Sequence, residues 1–198
     1  MSSSPPPSAV TEILAQIDTA HASDPNKIDV DGEEVPYELH YAQKSSAYLD
    51  KRCPDASPAL RIAVRAQHFR RWEVPRSDYP EGKVGYFAWR GGLKKRQAEM
   101  VEGICGAVLG DGDGDGEGGL IRKENLKNDT ESQVLEDVAC LVFLDDQFAA
   151  FEKEHNEDKI ITILRKTWAK MSEEGRRLAL EIPMEGRPRE VLVKALGG

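Results

Sequence analysis

The stretch Glu131-Ser-Gln-Val-Leu-Glu-Asp-Val-Ala-Cys-Leu-Val-Phe-Leu-Asp-Asp-Gln-Phe148 decides the fold. Val134, Val138, Leu141, Val142, Leu144 and Phe148 fall mostly at three- and four-residue steps, the period of a helix with a wide apolar face. The helix is expected from about Glu131 to Glu154. Asp137 lies inside the stripe, with Leu141 and Leu144 at i+4 and i+7, so it is expected to face the core. A buried carboxylate is costly unless it is paired, hydrogen-bonded or bound to a cation.

The same period extends in both directions. Ile160, Ile161, Ile163, Leu164 and Trp168 predict a helix from Asp158 to Met171 or beyond, and Val191, Leu192 and Leu196 allow a last turn or two after Pro188. Upstream, Val10, Ile13, Leu14 and Ile17 share one stripe of a first helix, from about Ala9 to Ala22. A second helix follows Pro36 and carries Leu39, His40, Ala47 and Leu49. Ser57-Pro58 gives an N-cap with proline at the first helical position, opening a third helix that is expected to reach about Phe69. A fourth is expected from Lys83 or Val84 to Leu109, with a kink at Gly91-Gly92. Ile28 to Val35 reads as irregular, with a turn at Asp31-Gly32. No run shows sustained period-two alternation. The expected fold is all-α, a compact array of six to eight helices forming a single domain over 9–198.

Two segments stand outside that array. Residues 1–8 are Ser/Pro-rich and read as a disordered tail. Residues 110–119 alternate glycine with acids and read as a flexible insertion; a short helix is expected after it, from about Leu120 to Lys127. Asp111, Asp113, Asp115 and Gly116 match the start of a calcium-binding EF-hand loop, but Arg122 stands where its closing glutamate belongs.

Charge and cysteine usage narrow the function classes. A net charge of −8 disfavours general attraction to nucleic acid or to membranes, and no apolar run reaches the length of a span. Three cysteines without CxxC spacing point to a reduced, cytoplasmic protein. Against that acidic background, 60–76 holds Arg61, Arg65, Arg70, Arg71 and Arg76 with Glu73 as the one acid. Arg65, His68 and Arg71 or Trp72 are spaced to share a helix face, which would make an anion-binding wall or, in the plainer reading, a set of partners for surface acids.

Of four histidines, His21 and His155 fall at expected helix C-termini, a structural role. His40 and His68 lie inside apolar-periodic helices. With Asp137 they make two imidazoles and a carboxylate, a set suited to one divalent ion such as Zn, Fe, Mn or Ni; the alternative is an Asp–Arg or Asp–His brace between helices. Lys170-Met-Ser-Glu-Glu174 is similar to the phosphate-holding loop of class I aminoacyl-tRNA synthetases, but its second lysine is an acid and no βαβ pattern precedes it.

His40 in Glu38-Leu-His-Tyr-Ala-Gln-Lys44, His68 in Ala63-Val-Arg-Ala-Gln-His-Phe-Arg-Arg-Trp-Glu73 and Asp137 resemble the metal-binding histidines and distal aspartate of the His-Asp (HD) phosphohydrolase superfamily. The same segments, with Gly85-Tyr-Phe-Ala-Trp-Arg90, Ile121-Arg-Lys-Glu124 and Leu135 to Leu144, resemble more closely the family called domain of unknown function 4202, over about 10–182. The HD resemblance implies a helical, metal-dependent hydrolase. Phe69 replaces the aspartate of the His-Asp pair, leaving three ligands and at most one metal. On that reading His40, His68 and Asp137 hold the ion, Arg71, Arg90 and Lys123 hold a small phosphorylated or anionic substrate, and Glu136 or Glu73 moves protons. The alternative is a metal-free module on the same scaffold that binds an anion, a nucleotide or a protein. A third is an iron-dependent oxygenase, since some HD relatives use iron.

Overall fold

The structure, a computed structural model, describes residues 7–109 and 130–197. Residues 1–6 of the expected tail, the glycine-rich insertion, the short helix after it and Lys123 lie outside the described residues, while Pro7 and Ser8, expected in the tail, open the first helix. Nine α-helices and one small hairpin make up the rest: α1 (Pro7–His21), β1 (Lys27–Val30), β2 (Glu33–Pro36), α2 (Tyr37–Arg52), α3 (Pro58–Arg65), α4 (Gly82–Leu109), α5 (Thr130–Val142), α6 (Phe148–Glu154), α7 (Glu157–Lys170), α8 (Glu173–Leu180) and α9 (Gly186–Leu196). A π-helical segment, Phe143–Gln147, joins α5 to α6 in one long rod. The all-helical expectation holds.

Local chemistry starts several of these helices. Ser57 accepts from the Leu60 amide at 3.1 Å, with Pro58 at the first helical position. Asn156 and Ser172 cap α7 and α8 through the amides of Lys159 and Gly175, each at 3.0 Å. Such caps satisfy amides that the helix itself cannot. The core forms where the apolar stripes meet. Ile13 and Ile17 of α1, Leu49 of α2, Leu60 and Ile62 of α3, Leu135 and Leu141 of α5, and Ile160 and Leu164 of α7 are all but fully buried.

Four boundaries differ from the sequence reading. The region expected to be irregular is an antiparallel hairpin, with Ile28 opposite Val35. Asp31 and Gly32 both take positive φ (55° and 87°), the conformation of the two-residue turns whose twist suits a hairpin. Its strands of four residues are too short to show alternation. Helix α3 stops at Arg65, not Phe69, because His68 (φ 64°) and Arg70 (φ 48°) are left-handed. Helix α4 runs unbroken through Gly91-Gly92. The C-terminal turn or two is an eleven-residue helix, α9.

Asp137 faces the core, as its position in the stripe required, and is fully buried. It braces three helices. Its Oδ2 accepts from Arg52 Nε of α2 at 2.8 Å and from Ser172 Oγ at 2.5 Å. Its Oδ1 accepts from the Ser172 amide at 2.8 Å and from Gln133 Nε2 at 3.1 Å. Four donors satisfy the carboxylate, so its burial is sustainable. The segment that is similar to a synthetase loop thus has a structural part: Ser172 both caps α8 and ties it to α5. The α8 glycine beside it is set by the same contact, since a Cβ on Gly175 would stand 2.6 Å from Asp137 Cγ.

Arg52→Ala should therefore lower stability by about 3 kcal/mol, the low end for stranding a buried charge, and Gly175→Ala by about 1–3 kcal/mol through overpacking. Urea unfolding measures both. Wild-type stability in either variant would show that the brace does not bear on the fold.

Candidate functional site

The turn after α3 presents the chemistry, and a buried carboxylate from α2 shapes it. Glu38 Oε1 accepts from the Arg71 amide at 2.7 Å, and Oε2 accepts from the Arg70 amide at 3.0 Å. The second oxygen also meets His21 Nδ1 at 3.2 Å. His21, fully buried at the end of α1, places its Nε2 2.9 Å from the Arg65 carbonyl. A carbonyl only accepts, so Nε2 carries a proton, and the Nδ1 contact places a further proton between His21 and Glu38. Asp24 holds the other end of this residue, accepting from the Glu38 amide at 3.0 Å. Burial pushes the Glu38 carboxyl above the ordinary range, against the lowering effect of His21 and the Arg71 amide.

The turn held this way aims His68 and Arg71 at a cavity of about 350 Å³ between α2, α4 and α5. His68 stacks on Tyr41, ring centroids 4.1 Å apart, and its Nε2 accepts from Arg71 Nη1 at 3.0 Å. The Arg71 guanidinium also lies 4.6 Å from the Trp89 ring centre. Burial lowers its affinity for the proton, and Arg90 nearby lowers it further. Among the described residues neither arginine has a carboxylate within ion-pair distance. Arg90 instead donates to Tyr86 Oη at 3.1 Å. Lys94, Lys170, Gln67 and Gln97 line the same cavity, with Glu136 as the one carboxylate among its lining residues. Gln67 Nε2 is buried and has no hydrogen-bond acceptor among the described residues. A second cavity, about 920 Å³, shares His68, Arg71, Trp89 and Gln147 with the first, so Arg71 stands in the wall between them.

The expected site residues separate into distinct settings. Arg71, Arg90, His68 and Glu136 come together on the smaller cavity, where Glu136 also pairs with Lys170 at 3.1 Å. Glu73 does not line either of these cavities; it pairs with Arg70 at 3.2 Å and with Arg96. Arg65 turns away from the wall expected of it and binds Asp18 of α1 through Nε and Nη2, at 2.6 and 2.7 Å. The helix break after Arg65 is the reason.

His40, His68 and Asp137 do not form one donor set. His40 Nε2 donates to Asp146 Oδ1 at 2.9 Å, on the π-helical segment, where Lys44 also reaches Asp145 and Asp146 at 3.0 and 3.2 Å. His68 turns to Arg71, and the Asp137 oxygens are taken by Arg52, Ser172 and Gln133. Among the described residues no three His, Cys, Asp or Glu side chains assemble to hold a metal ion. The residues that the HD resemblance assigns to a metal thus do not fit a shared ion.

Sequence reading missed His21, Glu38, Gln67 and the Asp145-Asp146 pair. Only the last left a signal: His40 and Lys44, four apart on one face of α2, match two adjacent acids. No helix among the described residues is long and apolar enough to cross a membrane.

The model of a family described as a domain of unknown function (DUF4202) matches residues 11–192. No curated protein and no solved structure matches the chain.

Because the Glu38 carboxyl is raised on folding, its contribution is fully present below its ordinary value of 4.5 and is lost as pH rises through the raised one. The stability advantage of wild type over Glu38→Gln should therefore shrink as pH increases from 4.5 toward neutrality. Chemical denaturation at a series of pH values reads this out; an advantage that grows over the same range would contradict the assignment.

Proposed function

The chain belongs to the family described as a domain of unknown function (DUF4202), and we propose that it is a binding protein for a small phosphorylated or carboxylated molecule, held without a metal by Arg71, Arg90 and Gln67. The observation that carries this reading is the half-buried Arg71 guanidinium. It sits between an imidazole and an indole, beside a second arginine, and among the described residues no carboxylate pairs with either. Burying a cation without a counter-charge is costly, and a like charge nearby adds to the cost. An anion entering the cavity removes both terms.

Three further features support the same ligand chemistry. Guanidinium groups present forked donors that match phosphate and carboxylate oxygens. The Gln67 amide offers one more donor that lacks an acceptor among the described residues, a deficit worth about 1–3 kcal/mol when filled. The cavity, at about 350 Å³, lies at the small end of the range for small-molecule sites. A hydrolase reading would need a group to move protons at the bound molecule, and Glu136 is the carboxylate among the cavity's lining residues. No step is assigned, because the expected metal ligands are engaged elsewhere.

Inorganic phosphate should raise the melting temperature of the wild-type protein saturably, as a ligand of the folded state does. Arg71→Gln and Arg90→Gln should each weaken phosphate by about ten- to a hundredfold, the loss of one charge-assisted hydrogen bond of roughly 1.5–3 kcal/mol. Phosphate also stabilises proteins generally by exclusion from their surfaces. Equal stabilisation of wild type and the double variant would therefore overturn the proposal.

A further inference from the structure

The anion site depends on a backbone that the chain would not adopt by itself. His68 and Arg70 both have left-handed φ, 64° and 48°. For residues with a Cβ this region costs of order 1–2 kcal/mol each. Within the turn itself the Arg71 amide also reaches the His68 carbonyl at 2.9 Å, but neither residue is glycine and no side chain of the turn caps its amides. A further offset comes from α2. Glu38 takes the amides of Arg70 and Arg71 on its two oxygens, at 3.0 and 2.7 Å. Those two bonds reach the residue that forms the anion-binding wall and the strained residue just before it.

Glu38 is in turn fixed by His21 and Asp24. His21 contacts Oε2 at 3.2 Å while holding the Arg65 carbonyl with its other nitrogen. Phe69 packs edge-on against the His21 ring, with centroids 5.4 Å apart. Asp24 binds the Glu38 amide and so sets where α2 begins. The Glu38 residue is 3% exposed, which leaves its carboxylate no alternative partner in solvent. A short chain of contacts therefore runs from the end of α1, through the start of α2, to the guanidinium in the cavity.

We infer that Glu38, locked by His21, is the positioning residue of the anion site: it holds the 68–71 turn in its strained form before the ligand arrives and thereby aims Arg71. This rests on the anion-binding reading above. Glu38 need not touch the ligand, since it acts through the Arg70 and Arg71 amides. A group that is pre-placed does not lose its ordering entropy on binding, which is how positioning becomes affinity.

The test is a double-mutant cycle read with sulfate, whose charge is constant across the working pH range. Sulfate affinity is measured by calorimetry for wild type, Glu38→Gln, Arg71→Gln and the double variant, each checked for its fold by circular dichroism. Glu38→Gln should weaken sulfate by about tenfold in wild type and by less than about twofold once Arg71 is gone. A purely structural role would weaken sulfate equally in both backgrounds, and that result overturns the inference.

A second measurement needs no variant. In ligand-free wild type, the Arg70 and Arg71 amides should resist hydrogen exchange as core helices do. If they exchange freely and become protected only when sulfate is added, the turn is organised by the ligand and Glu38 is not its positioner. The two readings fail separately. Wild type that binds no sulfate while these amides stay protected would sink the anion proposal and leave the turn held by Glu38. Sulfate binding with unprotected amides would do the reverse.

Discussion

The Glu38 carboxylate is the point on which the site depends. It joins three elements that are separate in sequence: the end of α1, the first turn of α2 and the turn after α3. Its two oxygens meet two backbone amides and one imidazole. That set accounts for a charged residue being almost fully buried. It also accounts for the end of α3. The apolar pattern would carry the helix on toward Phe69, but two successive amides are drawn to a carboxylate on a neighbouring helix, and the backbone turns left-handed to deliver them. The turn that follows places His68 and Arg71 on the cavity.

A second buried carboxylate does different work. Asp137 is satisfied by four donors from Arg52, Ser172 and Gln133, and it ties α2, α5 and α8 together. The two acids show how similar expense leads to different ends. Around Asp137 every donor and acceptor is matched and the packing is tight enough to require glycine at 175. Around Glu38 the match is equally complete, but what it holds is a strained turn that carries Arg71 to the cavity. Among the described residues, donors without a carboxylate or amide acceptor collect beside it, at Arg71, Arg90 and Gln67. A mismatch of that kind, supported by a well-satisfied frame, is what a ligand site requires.

The π-helical segment between α5 and α6 belongs to the same logic. One extra residue in the turn shifts the register of the helix, and such segments recur at functional positions. Here it sets Asp145 and Asp146 against His40 and Lys44 of α2, and turns Gln147 so that its amide donates to Tyr37 Oη at 2.5 Å. Gln147 also lines both cavities. His40, whose neighbours in sequence had suggested a metal ligand, is an element of this inter-helix contact.

Much of the fold was legible because its signals are local and periodic. The 3.6-residue stripe of Val134 to Phe148, the Ser57-Pro58 start and the Asp137 position inside an apolar face each follow from side-chain spacing alone, and the structure bears out the helices and the burial of that aspartate. The cationic character of 60–76 was legible too. What tertiary structure alone decided is which partner each polar group finds. Arg65 goes to Asp18, Glu73 to Arg70 and Arg96, Asp137 to Arg52, and His21 to Glu38. Those pairs span up to 85 residues of chain, and spacing along one helix carries no information about the charge that another helix brings to it. The helix stripe is a property of neighbours in sequence; a hydrogen-bond partner across the core is a property of the packed chain.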